Sequence, residues 1–245
     1  MIRIVEDAHC RYLSFALTGD DAGLVCRTTL VRPGKAAAGI PELAQSLGIG
    51  ISDIARVRQV HSTGIREVRP GEPGIEVPVE SDGILVTGPG VFGVVRTADC
   101  VPVVLVHPGK KAVAVVHAGW KGTCSRITGR AVARLLEITA GDPGDLKAFA
   151  GPCIHACCYE VGTEVRDEFA RAGHDIDRLM EGRNLDLVKA NLQQAVELGV
   201  RDISSSGFCT LCHPDLFYSY RRNGTEQRIL TLAGYHAWRP RPERP

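Results

Sequence analysis

The sequence predicts a single domain of the α/β (α+β) class, a sandwich built on mixed β-sheets. Three observations predict it. Four short apolar runs crowd between Gly83 and Val116, bounded by Gly, Pro and Lys, as strands buried on both faces are. Segments of helical spacing lie on either side of them in the chain. Strands and helices mix without strict βαβ alternation, which argues against a doubly wound sheet.

Taken in order, Arg11–Leu17 (RYLSFAL) reads as an early strand. Ile40–Leu47 has helical spacing, with Pro41 at an early helical position and Gly48 as the stop. Ile54–Val60 roughly alternates apolar and polar residues, the pattern of a half-buried strand. Val68–Val79 carries three prolines and two glycines and reads as a loop. The central strands are Gly83–Val86, Val91–Val95, Val103–Val106 and Ala112–Val116. One long helix is expected over Gly122–Ile138, with Thr123 or Ser125 as N-cap. A short strand closes at Phe149, and Val161–Ala170 and Leu185–Leu198 are helical, the second with Gly199 as C-cap. Phe217–Ser219 and Arg228–Leu232 read as the last strands, and Trp238–Pro245 as a loose tail.

Composition bounds the function. Across 245 residues, 29 Lys+Arg against 28 Asp+Glu leave a net charge of +1, so no basic footprint covers the molecule and nucleic acid is not an expected partner. A hydrophobic share of 44% and a charged share of 23% are those of a globular protein. At this length folding buries roughly 70–75% of the unfolded surface, enough for one sizeable core. MIRIVEDAHC has charges and no apolar stretch of the signal-peptide kind. The longest apolar runs, Val101–His107 and Ala112–Val116, fall far short of the ~20 residues that span a bilayer. A cytoplasmic protein without membrane contact is expected. Nine cysteines, an odd count, argue against a disulfide scaffold and leave buried, metal-binding or catalytic roles.

Several constellations carry chemistry. His61, Asp99–Cys100 and His117 each stand at the end of a predicted strand, where sheet edges build sites. His, Cys and His are good zinc ligands, and three ligands with an open position form the catalytic pattern. Their separations of 39 and 17 residues match no short zinc motif, so local packing is the competing reading. Gly119, Lys121, Gly122 and Thr123 open the long helix, and a glycine-rich helix start suits an anion such as phosphate. Cys153, His155, Cys157 and Cys158 share one tight loop, and Cys209-Thr-Leu-Cys-His213 is formally C-x-x-C-H. Haem attachment needs an export context that is not seen. A redox pair, a half-zinc site with Cys153 and Cys157, or buried thiols are the readings left. Arg221 and Arg228 suit phosphate or carboxylate, which a guanidinium grips with two bonds.

Taken together, RQVHSTGI, SDGILVT, VVRTADCVPVVLVHP, VAVVHAGWKGT, GPCIHACCYEVG and CTLCHPDLFYSYRR resemble one family. It is the YfiH-like family, described both as multicopper polyphenol oxidoreductases (laccases) and as purine nucleoside phosphorylases. The segments follow family order from about Gln59 to Arg228, about two-thirds of the chain. The resemblance implies a YfiH-like single domain over 1–245, with zinc on His61, Cys100 and His117 and copper as the alternative ion. It implies phosphorolysis of adenosine, inosine and methylthioadenosine to base and (methylthio)ribose 1-phosphate, with adenosine deamination as a second activity. On that reading Cys100, His117, Asp99, Arg221 and Arg228 are catalytic, and Asp99 and Asp82 are the carboxylates that stabilise positive charge on the sugar. Copper-dependent phenol oxidation, a Cys100–His117 hydrolase or peptidoglycan-editing factor, and a non-catalytic binding protein are the rivals. A monomer or weak homodimer is expected. The sequence departs from the family at Ser14–Leu24, which lacks its Arg-Gly-Gly-Val-Ser and Asn-Leu-Gly stretches. Gln227–Arg228 replaces its Gly-Arg, and Lys121 stands where arginine is common.

Overall fold

The computed structural model describes residues 2–17, 23–72 and 79–237. The Trp238–Pro245 tail, the middle of the Val68–Val79 loop and part of Ser14–Leu24 lie outside these residues.

The chain opens with strands β1 (Ile2–Glu6), β2 (Arg11–Phe15) and β3 (Leu24–Thr29), then helix α1 (Ile40–Leu47). Helix α1 has the expected bounds: the Glu42 carboxylate accepts from Gly39 N at 2.9 Å, and Gly48 closes it in the left-handed region. Then come β4 (Ile54–Ala55), β5 (Ile65–Val68), β6 (Gly83–Thr87), β7 (Phe92–Thr97), β8 (Val101–His107) and β9 (Ala112–Ala118). Helices α2 (Trp120–Cys124) and α3 (Ile127–Thr139) lead to β10 (Lys147–Ala150), α4 (Thr163–Arg171) and α5 (Ile176–Leu179). The chain continues through β11 (Met180–Glu181), β12 (Asn184–Leu185), α6 (Leu187–Glu197), β13 (Asp202–Ser205), α7 (Tyr220–Asn223) and β14 (Ile229–Tyr235).

Two six-stranded mixed sheets carry the fold, ordered β1-β2-β3-β14-β7-β4 and β13-β10-β8-β9-β6-β5. They face each other, as the pleat of β8 shows. Val104 and Val106 join the core between the sheets with Phe15 and Tyr235, while Val101, Val103 and Leu105 pack under the helices with Ile127 and Leu135. The outer face of the first sheet is closed by α1 through Leu43, Ala44 and Leu47. The expected mixed-sheet sandwich is the architecture observed.

Four local expectations are corrected. The helix foreseen over Gly122–Ile138 is broken, because Arg126 takes a left-handed φ of 61° between α2 and α3. Their N-caps are therefore Gly119 and Arg126 rather than Thr123 or Ser125. Of Ile54–Val60 only Ile54–Ala55 joins β7, in parallel, while Arg58 makes an isolated parallel bridge with Glu80. The rest peels away, and Gln59 instead exchanges side-chain bonds of 2.8 Å with the Arg96 backbone. Phe217–Ser219 is irregular rather than a strand: Phe217 N donates to His213 O, and Ser219 caps α7. Helix α6 ends at Glu197 with Leu198 rather than Gly199 as its C-cap, and Gly199 follows at φ 92°.

Candidate functional site

Sheet register gathers the site. Strands β8 and β9 are antiparallel with Val101 opposite Ala118, so Cys100 lies beside the end of β9. Strands β6 and β9 are antiparallel with Gly83 opposite Val116, so Asp82 lies beside His117. His61 comes from the loop after β4. The ligand atoms of His61, Cys100 and His117 all fall within 4.8 Å of one another.

Asp82 organises this corner. Its side chain is fully buried and accepts His61 N at 3.0 Å, Ser62 N at 2.5 Å and Ser62 Oγ at 2.8 Å. It also accepts His117 Nδ1 at 2.7 Å. Burial alone would raise its pKa, but these donors outweigh it and hold the carboxyl down at about 2. Burial likewise opposes charge on His117, yet the Asp82 bond and the Cys100 sulfur lift it to about 9. His61 is pushed below its usual value by burial, then by His117. Backbone shape contributes too: His61 and Asp99 are non-glycine residues at φ 58° and 89°.

The donor set fits the ion that the family resemblance implies. Two imidazoles and one thiolate form a three-ligand set, and all three residues line one cavity. The Asp82–His117 bond is the carboxylate contact that orients ligating imidazoles. Gly119 forms the cradle: a Cβ there would stand 2.7 Å from His61 Nδ1 and 3.2 Å from Cys100 Sγ. Only a residue without a side chain leaves the ligands in place. The same donors accept zinc or copper.

The cavity beside them measures about 480 Å³, and concave sites for small ligands run roughly 300–1,000 Å³. Trp120, Ile154, Tyr159 and Leu187 give it apolar walls, and Arg96, Arg221 and Arg228 give it positive charge. Arg221 reaches over the Tyr159 ring at 5.1 Å and donates to Glu160 O at 2.9 Å. Burial, then the Cys100 sulfur, raises the Tyr159 hydroxyl to about 12, so it stays protonated at neutral pH. The buried Thr97 hydroxyl on the same wall has no hydrogen-bond partner among the described residues. A second cavity of about 340 Å³ shares Arg96 and Arg228 and adds Arg56.

Of the residues singled out from sequence, His61, Asp99, Cys100, His117, Arg221 and Arg228 line this cavity. Gly119 touches the ligand atoms. Lys121, Gly122 and Thr123 do not line it. Lys121 is exposed and lies near the Trp120 ring, while Gly122 and Thr123 are buried. The Thr123 hydroxyl accepts from Asn191 Nδ2 at 2.9 Å, fastening α2 to α6. Helix α2, whose start the sequence reading offers to phosphate, is five residues long. Asp82 and Asp99 are both held by protein donors. The Asp99 oxygens accept Thr210 Oγ1 and Arg221 N, both at 2.7 Å, so each carboxylate is committed to protein donors. Sequence reasoning passed over Arg96, Trp120 and Tyr159. Arg96 had a signal, a single charge inside the apolar run VFGVVRT.

A model of the family described as multi-copper polyphenol oxidoreductase laccase matches residues 32–236. The purine nucleoside phosphorylase of Deinococcus radiodurans is 38% identical over 221 residues, covering 88% of this chain and 83% of that protein. An adenosine deaminase, RL5, from an unidentified prokaryote is 32% identical over 196 residues, covering 74% of each. Among solved structures, the hypothetical protein YfiH of Bacillus licheniformis superimposes with a TM-score of 0.83 at 25% identity, over 95% of this chain and 98% of that one.

Proposed function

The chain belongs to the multi-copper polyphenol oxidoreductase laccase family, and within it we propose that this protein is a zinc-dependent purine nucleoside phosphorylase with adenosine deamination as a second activity. One arrangement carries the reading: a His–Cys–His ligand set opens into a cavity with aromatic and apolar walls and an arginine rim. Adenosine, inosine and methylthioadenosine are the proposed substrates, with phosphate as acceptor.

His61, Cys100 and His117 hold the ion. When bound, the ion supplies Lewis acidity and stabilises negative charge that develops beside it. Trp120 and Tyr159 offer flat faces for a purine, and Ile154 and Leu187 exclude water from its edges. Arg96, Arg221 and Arg228 bind phosphate through paired N–H groups and orient one oxygen toward C1′ of the ribose. The new C1′–O bond forms as the C1′–N9 bond breaks; its electron pair leaves with the purine, which takes up the proton that the hydrogen phosphate gives up. Asp82 and Asp99 are positioning residues. The first fixes His117 and the His61 loop, and the second fixes the Arg221 backbone. The nine free thiols support a reducing, cytoplasmic setting. Residues 1–245 are taken as one domain.

The test is incubation with adenosine, with and without phosphate, and product identification by mass spectrometry. Adenine and ribose 1-phosphate that depend on phosphate support the phosphorylase, and inosine supports the deaminase. Both products must vanish in Cys100→Ala. Activity that survives in that variant overturns the assignment. Phenol oxidation only after copper loading would favour the oxidase instead.

A further inference from the structure

Four more ligand-type side chains meet outside this cavity. Cys157 and Cys158 lie in the loop between β10 and α4, and Cys209 and Cys212 in the loop between β13 and α7. The backbone zips the two loops together: Cys153 N donates to Phe208 O at 3.3 Å, and Thr210 N to Cys153 O at 2.8 Å. As a result the four sulfurs fall within 4.8 Å of one another. Cys157 and Cys158 are 3.5 Å apart, Cys157 and Cys212 3.7 Å, and Cys158 and Cys212 3.4 Å. Cys153, the partner expected from sequence, is fully buried and outside the cluster; Cys158 takes its place.

These separations discriminate between thiol chemistries. A disulfide needs sulfurs about 2.05 Å apart, and all four cysteines are free. Four sulfurs held at ~2.3 Å from one tetrahedral ion stand roughly 3.8 Å from each other. The observed distances lie near the second value. They also leave no room inside the cluster for a multinuclear centre.

The surroundings suit a thiolate site. Backbone N–H groups of His155, Leu211 and Cys212 donate to the Cys209 sulfur, which makes it an acceptor. The Arg222 guanidinium donates to Thr210 O and, at 3.2 Å, to Leu211 O, placing positive charge within the Cys209–Cys212 turn. Four thiolates on a divalent cation leave net negative charge, which this arginine offsets. Cys157 and Cys212 are exposed, so an ion can enter from solvent.

We propose that Cys157, Cys158, Cys209 and Cys212 bind one zinc ion as a closed four-thiolate structural site, distinct from the His61–Cys100–His117 set. None of the four cysteines lines the main cavity. The site acts on that cavity through its wall: Tyr159 follows Cys158 directly, and Thr210, between two of the ligands, donates to Asp99. The ion thus staples together the two loops that present Tyr159 and Arg221.

The test is elemental analysis of the full chain, prepared under reducing conditions with zinc and desalted into metal-free buffer. The expected content is two zinc ions per chain in the wild type, one in Cys100→Ala, and one in a Cys157→Ser/Cys212→Ser double variant. One ion in both wild type and Cys100→Ala would keep this site and remove the ion from the cavity. One ion in the wild type and none in Cys100→Ala overturns the proposal. Should the double variant fail to fold, cobalt titration of Cys100→Ala keeps the question open to measurement. Intense thiolate-to-cobalt charge-transfer bands with tetrahedral visible bands are expected, and their absence overturns the proposal. So does a disulfide among the four cysteines found by alkylation mapping of the protein as isolated.

Discussion

Two ligand-type clusters, one of two imidazoles and a thiol and one of four thiols, are set in opposite surroundings. The His61–Cys100–His117 set has three members, lines a cavity, and is steered by the buried Asp82 carboxylate. The Cys157–Cys158–Cys209–Cys212 set has four members, stands clear of the cavity, and is steered by backbone N–H groups. Three ligands beside a cavity leave an ion with a position for chemistry, and four leave it none. On the proposed assignments, ligand count and the space beside the ligands, together with ligand identity, divide catalysis from scaffolding in this molecule.

The sharpest way to break the comparison is Cys100→Ala. It removes a ligand from the three-member set, and kcat/KM should fall by on the order of 10³-fold or more, as several kcal/mol of barrier lowering are lost. Steady-state assays with adenosine and phosphate check this. Asp82→Asn should come next: it keeps every ligand but weakens their orientation, and zinc affinity should drop about 10–100-fold. Competition with a chromogenic chelator measures it. Arg228→Ala should raise the KM for phosphate about tenfold or more, the worth of a hydrogen bond to a charged group, with the nucleoside KM held. A matched rise in both constants would move Arg228 out of the phosphate site.

The pH profile of the metal-free chain sharpens the contrast further. Asp82 is held at about 2 against an ordinary 3.8, so its contribution to stability is present above 3.8 and lost as pH falls through about 2. His117 is raised to about 9 from 6.5, so its contribution is full below 6.5 and lost as pH rises through about 9. Thermal melts with chelator present should therefore be steadiest between 3.8 and 6.5 for this pair, and Asp82→Asn should flatten both limbs. The smallest effect is expected from Cys157→Ser. A melting point lower by about 2–4 °C, as a loss of 1 kcal/mol gives in a domain of this size, should accompany a change in kcat of less than about threefold.

The central strands were legible because β8 and β9 are apolar on both faces, so their periodicity needs no partner to interpret it. Strand β13 was not, since all four of its residues are exposed and an edge strand of DISS has no core-facing pattern. Strand β3 (LVCRTT) was missed as well, its polar side chains blurring the apolar alternation. The break at Arg126 was hidden for another reason: no glycine or proline marks it, and α6 holds both sides of it through Asn191, which bonds Thr123 in α2 and Thr128 in α3. At the site, the three metal-type ligands were visible as residues at strand ends, and the family resemblance singled them out. The role of Asp82 was not visible, because it depends on the β6–β9 register. Choosing Cys158 over Cys153 required knowing which side chains the loops turn outward.

His61 and Asp99 are held with positive φ, and each such non-glycine residue costs about 1–3 kcal/mol. One is a proposed ligand, and the other directly precedes one. A laboratory evolution campaign that selects this chain for heat tolerance alone would reach these two positions early, trading them for glycine or asparagine. Its winners would be sturdier proteins with a silent cavity, and the same two positions would mark where a stabilisation library must be kept from sampling.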